Sequence, residues 1–276
     1  MNSKSEQDDF DRFLAEDIGS GDITTATFVP DIDGSAVITC EDDAVVSGLK
    51  EATVIFSKLC VKAEQLVDDG TRVCAGTQIM KLIGPLRGIT TAERTALNMM
   101  MRMSGISTAV YDATMLCRKH DANVKIAGTR KTTPGFRKYE KKAIVLGGGD
   151  PHRFGLDDLV LVKDNHIQAL GGIEAVMEKT LDLPYNMGVE VEVETLHDAE
   201  VAAKCGADII MMDNRTPEEA AEIYRLVKSI NPDIMVEASG RITIDNVADY
   251  ARVADRISMG SITHSVKAIH FSLSVE

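Results

Sequence analysis

Residues 189–240 read VEVEVETLHDAEVAAKCGADIIMMDNRTPEEAAEIYRLVKSINPDIMVEASG. Three short runs, Val189 to Glu194, Asp208 to Asp213 and Ile234 to Gly240, are separated by the helical patterns LHDAEVAAKCG and PEEAAEIYRLVKSI. Short apolar runs bounded by turn residues, each followed by an amphipathic stretch, are the pattern of parallel strands buried on both faces and covered by helices. The rhythm extends outward to VKIAG (124–128), DLVLVKD (158–164) and RISMG (256–260). After a long first gap the candidate strands recur every ~20–30 residues, as βα units do.

What ends each strand decides between closed and open arrangements. In order, the ends carry Arg130 and Lys131; Lys163 with Asp164, Asn165 and His166; Glu192 with Glu194; Asp213 and Asn214; Glu237 with Ser239 and Gly240; then Gly260. Polar groups at the carboxyl ends of successive parallel strands converge on one mouth when the sheet curls into a barrel. The expected fold is therefore α/β, an incomplete parallel α/β barrel. A doubly wound open sheet also puts ligands at strand ends and is the alternative.

The N-terminal part has a different rhythm. From about Ala36 to Ile83, short apolar runs are broken by Gly and Asp, with one helix-like piece from Leu49 to Leu59. This predicts an N-terminal α+β domain over 1–107 and the barrel over 108–276, with a last helix packing back on the N-terminal domain. A long helix starts near Thr91, and Gly105 is expected to kink or break it. The Met99, Met100, Met101 and Met103 run reads as a core or subunit-contact face of that helix.

The chain has 276 residues and a formal net charge of -13. Such an acidic molecule repels nucleic acid and anionic membrane surfaces outside any local basic pocket, so the expected partner is small. Five cysteines lack CxxC spacing and are odd in number. They suit reduced thiols in a cytoplasm better than a disulfide framework or zinc site. The N-terminal stretch has no apolar signal-like region, and no apolar run reaches the ~20 residues of a membrane span.

Against that acidity, the stretch from Gly128 to His166, GTRKTTPGFRKYEKKAIVLGGGDPHRFGLDDLVLVKDNH, gathers Arg130, Lys131, Arg137, Lys138, Lys141, Lys142, His152, Arg153 and Lys163. Concentrating cations is costly unless something neutralises them, so the cluster points to a small polyanion. GTRKTTPG lacks the P-loop pattern but offers an anion cradle, or alternatively a solvated basic turn. GGGDPHR reads as a flexible hinge delivering His152 and Arg153; Arg153 could grip a carboxylate bidentately and His152 could add a donor.

Glu192 and Asp213 end otherwise apolar strands. They suit a Mg²⁺ site or stabilisation of developing positive charge, or else ion pairing with nearby lysines. Glu190, Glu192 and Glu194 alternate in phase, so all three could point inward. ASGR (238–241) and SMGS (258–261) suit a monophosphate site at late strand ends.

These segments together resemble the quinolinate phosphoribosyltransferase family. The matching pieces are EDIGSGDITT, AERTALNMMMRMSGIST, GTRKTTPGFR, EKKAIVLGGGDPHR, LVLVKDNHI, VEVEVETL, MMDN, EASG and SMGSITHSVKAIHFSL, in order along almost the whole chain. The resemblance implies an enzyme joining quinolinate to 5-phosphoribosyl-1-pyrophosphate with Mg²⁺, giving nicotinate mononucleotide, CO₂ and pyrophosphate. It implies a homodimer or larger homo-oligomer whose site is shared between subunits, Arg94 contacting the quinolinate carboxylates of a neighbour's site. By the same resemblance Arg130, His152, Arg153 and Lys163 line the dicarboxylate pocket, and Lys131 lies between the substrates. Glu192 and Asp213 match the acidic pair near ribose and metal; Ser239, Gly240 and Gly260 match the 5-phosphate site. Arg241 stands where some relatives have a small residue.

Two rivals remain at this level. A Schiff-base aldolase on the same barrel would use Lys131 or Lys163 as nucleophile. A non-catalytic ligand-binding relative would not need Lys131, Glu192 and Asp213 together. Within the family, nicotinate could replace quinolinate, although two arginines and a His-Arg pair exceed what one carboxylate requires.

Overall fold

The computed structural model describes residues 3–121, 123–184 and 187–276. They divide into two compact units, Met1–Thr108 with Val266–Glu276, and Ala109–Ser265. The division falls inside one helix.

The first unit comprises α1 (Ser3–Ile18), α2 (Ile23–Phe28), β1 (Asp33–Cys40), β2 (Ala44–Val45), α3 (Leu49–Lys58), β3 (Lys62–Gln65), β4 (Arg72–Val73), β5 (Thr77–Pro85) and most of α4 (Leu86–Cys117). Its main sheet is antiparallel. β1 pairs with β5 from Asp33↔Pro85 to Cys40↔Thr77, β5 with β3, and β2 with β4 in a separate ribbon. Ile38, Met80 and Leu82 from the strands and Ile55 and Phe56 from α3 are fully buried, and burial of each such side chain contributes ~1.5–3 kcal/mol.

Two expectations are corrected here. α4 begins at Leu86, directly after Pro85, and runs unbroken through Gly105. The glycine serves close approach instead: a Cβ there would sit 2.3 Å from the Lys267 carbonyl oxygen. The C-terminal segment is a strand, not a helix. Phe271–Val275 pairs antiparallel with β1, from Cys40↔Phe271 to Ala36↔Val275, as its alternation of apolar residues with serines allows. Met99, Met100 and Met103 are buried, so the methionine run is chiefly core.

The second unit contains β6 (Lys125–Ala127), α5 (Arg137–Leu146), β7 (Val160–Val162), α6 (Asp164–Leu170), α7 (Ile173–Thr180), β8 (Val189–Val193), α8 (Leu196–Lys204), β9 (Ile209–Asp213), α9 (Pro217–Ile230), β10 (Met235–Ser239), a 3₁₀ turn (Val247–Tyr250), β11 (Arg256–Ser258) and α10 (Ser261–His264). The C-terminal strand of the first unit is then β12 (Phe271–Val275). All six strands of the second unit are parallel in the order β6-β11-β10-β9-β8-β7. Among the described residues β6 and β7, at the two ends of the order, do not pair with each other, which leaves the barrel incomplete.

Local chemistry explains the regularity. Thr195 caps α8 by accepting from Asp198 N–H, and Thr216 with Glu219 forms a capping box on α9, with Pro217 at its first position. At the amino ends of the strands one aspartate device appears twice. Asp208 Oδ2 accepts from Val189 N–H at 2.8 Å, and Asp255 Oδ2 accepts from Val236 N–H at 2.8 Å. Each ties the start of one strand to its neighbour and fixes the register that sets the opposite, carboxyl ends.

Candidate active site

The carboxyl ends of the second unit's strands enclose a cavity of about 570 Å³. After β6 the chain contributes Thr129, Arg130 and Lys131; the loop after α5 contributes His152 and Arg153; Lys163 follows β7. Across from them stand Asp213 and Asn214 at the end of β9, Ser239, Gly240 and Arg241 after β10, and Ser258 of β11. Thus Arg130, Lys131, His152, Arg153, Lys163, Asp213, Ser239 and Gly240 meet around one space.

Other expected residues stand elsewhere. Glu192 is buried and does not line the cavity; its Oε2 accepts from Lys163 Nζ at 2.5 Å. Burial raises the Glu192 carboxyl above its ordinary range, although Lys163 opposes this. Glu194 lies past the end of β8 and is exposed, so the inward series stops at Glu192. Gly260 is set against Lys131: a Cβ there would sit 3.1 Å from Lys131 Cδ. Arg94 belongs to the first unit, where it lines a depression of about 340 Å³ with Asp17 and Asp22.

Two cations of the basic stretch, Arg137 and Lys141, brace rather than bind. Arg137 Nη1 donates to the Phe154 carbonyl and its Nε to Thr132 Oγ1, while Lys141 Nζ donates to the Pro151 carbonyl. Burial lowers the Lys141 ammonium to about 8, with the charge of Arg137 acting in the same sense. These cations hold the loop that carries His152 and Arg153.

The glycine run before that loop is not a hinge. Gly147, Gly148 and Gly149 N–H groups close the end of α5, and a Cβ at Gly149 would lie 2.9 Å from the Ile126 carbonyl oxygen. Asp150 N–H then donates to Ile126 and Gly128 N–H to Asp150, so the segment is locked to β6.

Three of the four non-glycine residues with positive φ among the described residues line the cavity: His152 (φ 55°), Asn214 (52°) and Arg241 (52°). Left-handed backbone costs a non-glycine residue of order 1 kcal/mol, and such strain gathers where side-chain placement matters. Gly240 answers to the same geometry. At φ 94° its absent Cβ would fall 2.5 Å from Asn214 Oδ1.

Beneath the cavity lies a charged cluster that reading the sequence did not assemble. Arg256 Nε donates to Glu237 Oε2, Ser258 Oγ donates to Glu237 Oε1, and Arg256 Nη1 lies 3.3 Å from Asp150 Oδ2. His152 Nε2 stands 3.3 Å from Glu190 Oε2 and 3.5 Å from Glu237 Oε2. Burial alone would raise Glu237, but His152, Arg256 and Ser258 hold its carboxyl below the usual range. Burial would also lower His152, yet the two carboxylates outweigh it and push the imidazole up to about 9. The Arg153 amide donates to Nδ1 at 2.6 Å, while Nε2 faces the two carboxylates. Both ring nitrogens are therefore occupied from within, and His152 lines the cavity without offering it a free N–H.

The guanidiniums at the cavity are less fully balanced, Glu190 only partly offsetting the forces on Arg153. Arg130 Nε is buried with no hydrogen-bond acceptor among the described residues. Arg153 is pushed below its ordinary pKa, first by burial and then by the neighbouring charge of Arg130. Two arginines that raise each other's energy form a site for an anion with more than one charge.

Comparison with known proteins agrees with this arrangement. Residues 22–104 match the model of the quinolinate phosphoribosyl transferase N-terminal domain, and residues 106–274 that of its C-terminal domain. A relative from Archaeoglobus fulgidus named "Probable nicotinate-nucleotide pyrophosphorylase (carboxylating)" is 40% identical over 258 residues, which covers 92% of this chain and 98% of the relative. The nicotinate-nucleotide pyrophosphorylase (carboxylating) of Homo sapiens is 37% identical over 242 residues, covering 87% of this chain and 82% of that protein. The solved structure of the nicotinate-nucleotide pyrophosphorylase from Francisella tularensis superposes with a TM-score of 0.93 at 36% identity, covering 100% of this chain and 98% of that one. With both domain models matched in order along the chain and a strand-end cavity rich in arginine, this chain belongs to the quinolinate phosphoribosyl transferase family.

Proposed function

We propose that this protein transfers the phosphoribosyl group of 5-phosphoribosyl-1-pyrophosphate to quinolinate and releases CO₂, forming nicotinate mononucleotide and pyrophosphate in NAD biosynthesis. The observation that carries this reading is the Arg130–Arg153 pair, two neighbouring guanidiniums of which Arg130 Nε is buried with no acceptor among the described residues. Quinolinate brings two adjacent carboxylates, which supply counter-charge in bidentate form. Lys163 adds a cation at the same side, and His152 acts as a fixed wall of the pocket.

In the reaction the C1–oxygen bond of the sugar breaks, the pyrophosphate departs with the electron pair, and the ring nitrogen forms the new bond to C1. Asp213 faces the cavity and stabilises the positive charge that grows on the sugar. The carbon–carbon bond to the carboxyl next to the ring nitrogen then breaks, CO₂ leaves, and that ring carbon takes a proton. Lys131 suits this last step. Its ammonium has no acceptor among the described residues, whereas Lys163 is paired with Glu192. Ser239, Gly240 and Gly260 receive the 5-phosphate.

Asp213, a hard oxygen donor lining the cavity, would hold Mg²⁺ together with the substrate's own phosphates, and Glu192 on the adjacent strand, paired with Lys163, would reach it through water. Mg²⁺ there would supply charge neutralisation for a pyrophosphate leaving group. A homodimer or larger assembly in which Arg94 of one subunit completes a neighbour's pocket accounts for an exposed arginine lining a depression of the first unit. Residence in the cytoplasm is supported by five free cysteines. Among the described residues, no helix is long and apolar enough to cross a membrane.

The test is direct. Purified protein incubated with quinolinate, phosphoribosyl pyrophosphate and Mg²⁺ is expected to yield nicotinate mononucleotide and CO₂ in equal amounts. Turnover of nicotinate in place of quinolinate, with no CO₂ released, would overturn the assignment.

A further inference from the structure

We propose that Arg241 is a substrate-binding residue of this protein, whose guanidinium grips the phosphate monoester of the ribosyl substrate; the inference rests on the functional reading above. Arg241 follows Gly240 in a two-residue left-handed turn, with φ 94° at the glycine and 52° at the arginine. The glycine is dictated by Asn214, whose side chain and amide leave no room for a Cβ. At 241 the left-handed backbone also favours glycine, yet a long cationic side chain stands there. A residue held in a conformation that costs it free energy calls for a compensating interaction.

No such interaction exists among the described residues. The Arg241 side chain is exposed, lines the cavity, and has no hydrogen bond or ion pair among the described residues. The cavity's acidic lining group, Asp213, accepts instead from Asn214 Nδ2.

The surrounding loop is biased the same way. Two of its carbonyls are engaged: that of Ser239 receives Asn214 N–H at 2.9 Å, and that of Ile242 receives Ser261 Oγ at 3.2 Å. Its donors are not, since the N–H groups of Gly240, Arg241 and Ile242 have no acceptor among the described residues. Three successive open amides with one unpaired guanidinium beside them form a site for a tetrahedral anion with several acceptor oxygens.

The substrate carries two such groups, and charge separates them. The pyrophosphate is drawn to the side of β8 and β9, where Glu192 and Asp213 suit the metal. The monoester, at the other end of the ribose, falls to the loop after β10. Arg241 therefore reads the monoester.

The decisive comparison uses Arg241→Gly, Arg241→Lys and the unmodified protein, with calorimetric binding of ribose 5-phosphate and of pyrophosphate, thermal melts, and steady-state kinetics. Arg241→Gly relaxes the backbone, so its Tm is expected to rise by about 2–4 °C. Its Kd for ribose 5-phosphate and KM for phosphoribosyl pyrophosphate are expected to rise ~10–100-fold, the loss of one or two charge-assisted hydrogen bonds. The KM for quinolinate and the Kd for pyrophosphate should stay within about two-fold, and Arg241→Lys should recover part of the loss. A more stable variant with weaker monoester binding cannot be explained by damage to the fold. Ribose 5-phosphate affinity unchanged in Arg241→Gly, or a loss confined to pyrophosphate or shared equally by quinolinate, overturns the inference. Absence of quinolinate turnover by the unmodified protein would instead strike the functional reading, while the ribose 5-phosphate titration still decides the role of Arg241.

Discussion

Arg256 Nη2 lies 3.3 Å from His152 Nε2, and the same guanidinium reaches Glu190 at 3.6 Å and contacts Glu237. His152, Glu190 and Glu237 bring three potential ligand atoms within 4.8 Å of one another, a spacing suited to a metal ion. The arginine already supplies the positive charge there. An internal cation thus neutralises the buried carboxylates, so the fixed floor of the cavity does not depend on a bound ion.

Removing that cation has two consequences. Arg256→Ala leaves Glu190 and Glu237 buried without it and is expected to cost ~3–5 kcal/mol of stability. It also opens the space among the three ligands, so Zn²⁺ should raise the Tm of the variant while leaving the unmodified protein unaffected. Melts with and without Zn²⁺ check this; equal stabilisation of both proteins would show that Arg256 does not fill the position.

Arg153→Ala relieves the repulsion from Arg130 but removes half of the dicarboxylate grip. The KM for quinolinate is expected to rise ~10–100-fold with little change in that for phosphoribosyl pyrophosphate. Equal rises for both substrates, measured by varying each at saturation of the other, would contradict the placement.

Asp213→Asn keeps the shape of the side chain and removes its charge. Because the charge matters as the sugar becomes positive, turnover should fall about 100-fold with a smaller change in substrate affinity. Single-turnover rates separate the two, and an unaltered chemical rate would remove Asp213 from the mechanism.

Lys141 gives a pH signature of stability. Its folded-state pKa of about 8 lies below the ordinary 10.5, so between these values the unfolded chain binds more protons than the native one. Stability should therefore rise with pH across that window, with the full cost of burying the ammonium present below about 8. Lys141→Met lacks this titration. Its stability relative to the unmodified protein should decline by about 2–3 kcal/mol between pH 7 and pH 10. Denaturant unfolding at both ends measures it; a constant difference would mean that Lys141 titrates as a solvated amine.

The strands were legible because each is a compact apolar run closed by polar residues, and the pocket cations were legible because they sit at those closures. What sequence could not show depends on register. Glu237 and Arg256 are direct partners across β10 and β11, yet nothing in VEASG or RISMG taken alone announces the pairing. The only hint was charge inside otherwise apolar strands. Arg137 and Lys141 misled for the opposite reason: their composition matches that of anion-binding residues, and only the path of the loop turns them toward backbone carbonyls. Glu194 followed the alternation but lies beyond the last residue of β8, where the strand no longer directs it. Gly105 has the look of a helix breaker, and its reason emerges only when Lys267 approaches it.

The pairing of β12 with β1 has a bearing on how the molecule is made. Synthesis delivers β1 early and β12 only after every residue of the second unit has left the ribosome. Throughout that interval the outer side of β1 is an uncovered sheet border, able to recruit a strand from another nascent chain. That border closes only when the last strand arrives.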